Sequence, residues 1–477
     1  MQESMKNELL RNLPSIDKLL KLPIVQGWLE TQARSVVTKC LRDTIDTLRQ
    51  KILTDQTGSC GMMHVDEEFI LHLAGKQLED ATAPHIVAAI NATGIILHTA
   101  LGRAVLPESV VDSMTEDLKG YVTLAIDRES GKRSERDQRT EYLITELTGA
   151  EAGIVVNNNA AATMLALAAV AGGGQAIVSR GQLIEIGGSF RLPDVMELSR
   201  VDLCEVGCTN RTHLRDYKNA IRKETSPEGK KTTAIIRVHP SNFRVVGFTK
   251  QPTTEELVSL ANENDLPFID DLGAGALVSL TKFGLPHEPT IQESIQAGAD
   301  LVLVSTDKLI GAGQGGLILG KKKFVDMCRK HPLYRAMRVD KSCLITLERT
   351  MMLFRDFDKL CKMHPTYRML NTSQEALKNR AQKLADEIAK LAPSTSTEVI
   401  KSVGFLGSGS IPMEEIPTYA AKVKYSKIQV GDLAKKLRLD KACIFTRIED
   451  NSICLDARTI TDAQITPIAE AFARVTK

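Results

Sequence analysis

The chain lacks the features that would place it in a membrane or knit it together covalently. No stretch approaches the ~18 uninterrupted apolar residues that cross a bilayer. Met1-Gln2-Glu3-Ser4-Met5-Lys6-Asn7-Glu8 has neither the basic start nor the apolar core of a signal peptide. No membrane association is therefore expected, and the expected location is cytoplasmic. The nine cysteines are odd in number and scattered, with Cys204 and Cys208 the one close pair, which reads as reduced thiols rather than a disulfide framework. No second Cys or His pair matches that spacing, so no metal site is expected. Strong charge is missing too: the net charge is +2, so any RNA contact needs a local basic patch. Internal repeats and low-complexity tracts are likewise absent.

What is present is an ordinary globular composition, 43% apolar and 25% charged, in 477 residues, enough for two or three domains. Residues 1–85 read as a helical domain, with Leu9, Leu10, Leu13, Ile16, Leu19 and Leu20 at helical spacing, interrupted at Pro14-Ser15. A second amphipathic segment runs from Trp28 to Ile52, before the turn-rich Asp55-Gln56-Thr57-Gly58-Ser59-Cys60-Gly61. Residues 86–342 read as a large α/β domain. Its short runs, such as Gly153-Ile154-Val155-Val156, Ala176-Ile177-Val178, Ala234-Ile235-Ile236-Arg237-Val238, Pro267-Phe268-Ile269 and Leu301-Val302-Leu303-Val304, are apolar on both faces and alternate with helices. That pattern predicts a mostly parallel sheet covered on both sides, with ligands beyond the carboxyl ends of its strands. Residues 343–477 read as a smaller α+β domain entered through helices Cys343–Leu360 and Gln374–Leu391, with a closing helix from Asp462 to Val475.

Chemistry concentrates at those strand ends. Lys308 follows Leu301-Val302-Leu303-Val304-Ser305 through Thr306-Asp307, and a lysine desolvated at such a position is a nucleophile suited to imine formation with an aldehyde such as pyridoxal phosphate. One strand upstream, Asp270-Asp271 follows Phe268-Ile269, placing a carboxylate where it can keep a pyridine nitrogen protonated. Asn157-Asn158-Asn159-Ala160 opens an alanine-rich helix whose amides suit a phosphate, although asparagine is also a common helix cap. Asn242, in His239-Pro240-Ser241-Asn242-Phe243, is placed to meet a phenolic oxygen or to serve as a turn residue. Gly311-Ala312-Gly313-Gln314-Gly315-Gly316 matches a dinucleotide fingerprint in letters only, because an apolar strand rather than a helix follows it; its glycines read as room for the backbone to turn beside a ligand. Arg103, Arg133, Arg136, Arg335 and Arg338 are candidates for holding an anion, the last two lying on one helical face.

Several ordered motifs are shared with one family. Ile90-Asn91-Ala92-Thr93-Gly94, His98-Thr99-Ala100-Leu101-Gly102-Arg103, Val155-Val156-Asn157-Asn158-Asn159, Ser179-Arg180-Gly181 through Gly187-Gly188-Ser189-Phe190-Arg191, Thr209-Asn210-Arg211-Thr212 and Asp307-Lys308-Leu309 resemble the bacterial selenocysteine synthases. The likeness reaches from Leu13-Pro14-Ser15-Ile16-Asp17 to Glu414-Glu415-Ile416-Pro417. It implies a fold-type-I pyridoxal phosphate transferase that converts L-seryl-tRNA(Sec) to L-selenocysteinyl-tRNA(Sec), by β-elimination to an aminoacrylate and addition of selenium from selenophosphate. It implies that the N-terminal domain holds tRNA and that the subunits form a ring of dimers, a homodecamer. Lys308 would then be the imine lysine, Asp271 the pyridinium partner and Asp307 a catalytic aid. Asn158, Asn159, Ala160, Ser305 and Asn242 would line the cofactor, and Arg103, Arg335 and Arg338, joined by Arg133 or Arg136, would hold the donor. Ala100, Ser134-Glu135, Thr306, Ala312 and Gly313 depart from the family pattern, and Thr306 lacks the backbone freedom of the usual glycine. A pyridoxal-dependent lyase acting on a small amino acid or sugar amino acid is the alternative; it would have no need of residues 1–85.

Overall fold

The computed structural model describes residues 2–54, 66–188, 190–227, 229–407 and 414–477. The turn-rich stretch Asp55–Gly61 and Ser189 lie outside the described residues. The chain divides into two compact units, Met1–Ala88 and Ala89–Lys477.

The first unit is helical: Gln2–Asn12, Ile16–Leu19, Pro23–Thr31, Arg34–Thr54 and Glu67–Thr82. Ser15, in the interruption read from sequence, caps the second helix by accepting a hydrogen bond from Lys18 N at 3.3 Å. The amphipathic segment expected from Trp28 to Ile52 is two helices, not one. Gln32 takes an extended backbone and ends the first helix, and the next begins at Arg34. Both helices send residues into one core, in which Leu19, Val25, Leu41 and Ile70 are fully buried.

The second unit contains the strands β1 (Ile90–Ala92), β2 (Ala152–Val156), β3 (Gln175–Ser179), β4 (Glu185–Ile186), β5 (Phe190–Arg191), β6 (Asp202–Val206), β7 (Thr232–Val238), β8 (Phe268–Gly273), β9 (Leu301–Ser305), β10 (Gly316–Gly320), β11 (Ser396–Gly404), β12 (Ile416–Lys424), β13 (Ile444–Glu449) and β14 (Ser452–Asp456). The large sheet runs β2-β10-β9-β8-β7-β3-β6. It is parallel except for β10, which inserts antiparallel between β2 and β9. Alternation within each strand feeds two cores: Val302 and Val304 of β9 pack on one face, Leu301 and Leu303 on the other. That double burial is why these strands read as unbroken apolar runs. At the sheet edge β6 is only partly buried and carries Asp202 and Glu205, so it shows no such run.

A second sheet, β1-β13-β14-β12-β11, carries helices Gln374–Leu391, Val430–Leu439 and Ile465–Val475. β1, read from sequence with the α/β part, pairs parallel with β13 more than 350 positions away. The helix expected from Cys343 to Leu360 breaks in the middle: Lys341–Leu353 ends, and Asp356 caps Phe357–Met363 by accepting from Lys359 N at 3.0 Å. Among the described residues no helix is long and apolar enough to cross a membrane, and no group of three His, Cys, Asp or Glu is arranged to hold a metal ion.

Candidate active site

The site forms where β8 and β9 end beside the helix Asn159–Val170. Successive residues of a strand face opposite sides, which separates the two aspartates of β8. Asp270 turns to one face and receives both arms of Arg237, at 2.7 Å each, with Ser294 Oγ at 2.6 Å. Asp271 turns to the other, where Asn159 Nδ2 donates at 2.8 Å and Thr163 Oγ1 at 2.9 Å. Burial pushes the Asp271 carboxyl up; those two hydrogen bonds and the Lys308 charge oppose the shift. Asn159 and Thr163 lie one helical turn apart on one face. Thr163 was not singled out in the sequence, although that spacing is its signal.

Lys308 is 7% exposed. Burial first, then the charge of Arg103, hold its ammonium below the usual lysine range, while Asp307, Asp271 and Glu288 act the other way. Its Nζ lies beside Gly273, whose φ of +67° is a backbone conformation that favours glycine. Arg103 itself has φ 63°, strained for a residue with a side chain, and its Nη1 donates to Asp307 Oδ2 at 2.6 Å. Asp307 Oδ1 is buried with no hydrogen-bond partner.

The loop after Lys308 closes on itself. Thr306 N donates to Gly315 O at 3.0 Å, Thr306 Oγ1 to Gly313 O at 2.5 Å, and Ala312 N to Thr306 O at 2.9 Å. Thr306 is not among the residues with positive φ, so the freedom of glycine is not needed there. The glycines of this loop are packed closely against the protein. A Cβ on Gly311 would fall 2.2 Å from the His364 ring, and one on Gly316 would fall 2.2 Å from Asn158 O. His364 Nε2 and Tyr367 Oη, neither anticipated, bond the carbonyls of Ile310 and Leu309 at 2.9 Å.

Asn158 caps the helix through Ala161 N at 2.8 Å, with Ala160 in its first turn. Its side chain is therefore the cap that sequence alone left open, and the amides of the first turn remain the anion-facing group. Ser305 is buried at the end of β9, opposite Gly316. Asn242 donates to Glu185 O at 3.1 Å, while its Oδ1 is buried without a partner.

The remaining arginines gather elsewhere. Arg133, Arg136, Arg335 and Arg338 line a cavity of about 700 Å³, and Arg103 is not among its lining residues. Arg329, in the same wall, is paired with Glu141 at 2.8 Å and with Glu135. Arg136, Arg335 and Arg338 make no ion pair among the described residues, and Arg136 Nε and Nη1 are buried without partners. Arg136 is the first cause that holds the Arg338 guanidinium below its usual range, followed by desolvation and Arg335. The helix Lys341–Leu353 stands between the two groups electrostatically. Burial, then Asp340 and Asp307, push its Cys343 thiol up to about 12. Its cap Asp340, held low by hydrogen bonds from Cys343 and Ser342, also feels Arg136.

A buried amine, a buried carboxylate one strand away, a helix N-terminus and orphaned buried oxygens on Asn159 and Asn242 fit pyridoxal phosphate. Fold and site together define a pyridoxal-phosphate-dependent α/β enzyme of fold type I. Among solved structures, D-glucosaminate-6-phosphate ammonia-lyase is similar in fold, with a TM-score of 0.56 and 19% identity over 82% of this chain and 96% of that one. The L-seryl-tRNA selenium transferase family model matches residues 89–461, and the selenocysteine synthase N-terminal model matches residues 10–49. The chain is 42% identical to the L-seryl-tRNA(Sec) selenium transferase of Clostridium botulinum (strain Okra / Type B1) over 99% of its own length and 100% of that protein. The enzyme of the same name from Alkaliphilus metalliredigens is 42% identical over the same shares. The chain belongs to the L-seryl-tRNA selenium transferase family.

Proposed function

We propose that this enzyme converts L-seryl-tRNA(Sec) to L-selenocysteinyl-tRNA(Sec) with selenophosphate as the selenium donor. The observation that carries the reading is a buried Lys308, its ammonium held below the usual lysine range, with the buried Asp271 one strand away, together with a cavity of arginines suited to a tetrahedral anion. Full-length likeness to selenium transferases supports the substrate.

Lys308 would hold the cofactor covalently, and its amine, when free, would take the α-proton of the seryl group. Pyridoxal phosphate supplies the electron sink that makes that proton removable. Asp271, fixed by Asn159 and Thr163, would meet the pyridine nitrogen, and the helix start at Asn158, Asn159 and Ala160 would receive the phosphate. Ser305 and Asn242 would border the ring. Asp307 holds Arg103 through an ion pair at 2.6 Å. Arg136, Arg335 and Arg338 bind selenophosphate, with Arg136 rather than Arg133 as the third cation because its buried nitrogens lack partners. Residues 1–85 hold the tRNA, and the subunits assemble as a ring of dimers in the cytoplasm.

Incubation with seryl-tRNA(Sec) and labelled selenophosphate tests the reading. Label becomes acid-stable on the aminoacyl group if it holds. Absence of transfer, with lyase activity on a free amino acid or sugar amino acid instead, overturns it.

A further inference from the structure

A cavity of about 490 Å³ opens beside the Lys308 group, lined by His239, Ser241 and Glu288 among others. Its chemistry is distinct from that of the arginine cavity. Glu288 is 5% exposed, and its Oε1 is buried, makes no well-aligned hydrogen bond and lies 3.2 Å from His239 Nε2. A buried carboxylate oxygen in that state is costly unless a charge faces it. His239 directly follows β7, and its backbone N donates to Asp271 O at 2.8 Å, which ties it to the strand end that carries the pyridine-facing carboxylate. Ser241, in the same wall, places its Oγ 3.5 Å from the point where a Cβ on Gly273 would stand, and Lys308 Nζ lies 3.9 Å from that point. Ser241, which lines the cavity, and the lysine amine thus both lie within 3.9 Å of one point, and the charge of Glu288 is felt at Lys308.

Within the function proposed above, on which this rests, we propose that His239 is the acid that protonates the departing β-oxygen of the seryl group and that Glu288 is the residue positioning it. Glu288 engages Nε2, which leaves Nδ1 as the nitrogen that exchanges protons. The step balances as loss of water. Lys308 takes the α-proton, the freed electron pair becomes the new bond between the α- and β-carbons, and the bond from the β-carbon to oxygen breaks with its pair on oxygen. The proton of His239 goes to that oxygen, and solvent restores it. Hydroxide is a poor leaving group, and a positioned acid is worth ~10²–10⁴ in rate. The other charged groups facing His239 across the cavity are His287, Arg244, Lys250 and Glu414, with Arg244 held by Glu414 at 2.9 Å.

Full-length His239→Asn and Glu288→Gln proteins carrying cofactor, with the absorbance of bound cofactor confirmed, test the assignment against two charged tRNAs. With seryl-tRNA(Sec), His239→Asn is expected to lose about 100-fold or more in single-turnover selenium transfer. With β-chloroalanyl-tRNA(Sec), whose chloride leaves without a proton, it is expected to keep nearly the wild-type rate. Equal loss with both substrates overturns the acid role, as does no loss with either. A second arm needs no turnover: carbethoxylation of His239 by diethylpyrocarbonate, followed by mass spectrometry in cofactor-free protein across pH. Glu288→Gln is expected to change the rate at which His239 is carbethoxylated, because the ring is no longer held by the carboxylate at Nε2; an unchanged rate overturns the pairing. If wild-type protein transfers no selenium, the proposed function fails by itself, and the carbethoxylation arm still decides whether Glu288 governs His239.

Discussion

The Lys308 group and the arginine cavity treat charge in opposite ways. Around Lys308 three neighbouring groups are partnered inside the chain: Arg103 with Asp307 at 2.6 Å, Asp271 with Asn159 and Thr163, Asp270 with Arg237. In the arginine cavity Arg329 is paired in the same manner, yet Arg136, Arg335 and Arg338 make no ion pair among the described residues. Compensated charges set the protonation states of a fixed cofactor, because each neighbour moves a pKa by burial or by its own charge. Cations held together uncompensated repel, and the repulsion is relieved only when an anion enters. On the function proposed above, one region would be built around a resident group and the other around a visitor.

The largest break in that contrast is removal of the amine. Lys308→Ala is expected to abolish the borohydride-reducible lysine adduct with the cofactor and to lower selenium transfer by ~10³-fold or more, since nucleophile and base are lost together. A reducible lysine adduct persisting in the variant would overturn the assignment of Lys308. Substitutions in the arginine cavity are expected to act on a different parameter. Arg136→Ala, Arg335→Ala and Arg338→Ala each raise the selenophosphate KM by about tenfold to a hundredfold while the lysine adduct forms as in wild type. Added salt weakens donor binding in the same direction, because an open cation cluster is screened. Steady-state kinetics with the donor varied, alongside the absorbance of bound cofactor, decides it: a lost lysine adduct in the arginine variants would merge the two regions into one.

Much of the resident site was legible in the sequence, and its visible part has a local cause. β9 is buried on both faces and so reads as an apolar run ending in Ser305, which places Lys308 at a strand end. The same holds for β8 and its aspartates, whose roles follow from alternation along the strand. The gaps arise where contacts are long-range. Glu288 sits in a loop with no periodicity of its own and reaches His239 only because β7 and β8 are neighbours. The pairing of β1 with β13 leaves no local mark either. The extended Gln32 and the following Ala33 separate the two helices, a break too short to show in the apolar pattern. Asp356, by contrast, was an available signal, an aspartate at the cap of a helix that the apolar pattern had fused to its predecessor.

At the smallest scale the comparison sharpens in His364, which holds the Lys308 loop from the core side. Ile310 O can only accept, so Nε2 must carry the proton at 2.9 Å and the imidazole is neutral with Nδ1 bare. Nδ1 is buried without a partner, and burial pushes the His364 imidazolium down to about 4. The unfolded chain binds that proton near pH 6.5, so between pH 6.5 and about 4 the unfolded state holds more protons than the native one. Stability is therefore fully present above pH 6.5 and falls as the pH drops through this window, by about 3 kcal/mol in all. His364→Gln keeps a donor for Ile310 O but does not titrate. It is expected to lower the melting temperature at pH 7.5 through poorer packing against Phe354 and Tyr367, yet to lose less on going to pH 5 than wild type does. Thermal melts of both proteins across that range measure the difference, and parallel curves would mean that the proton on His364 is not what the acid side of the stability profile reports.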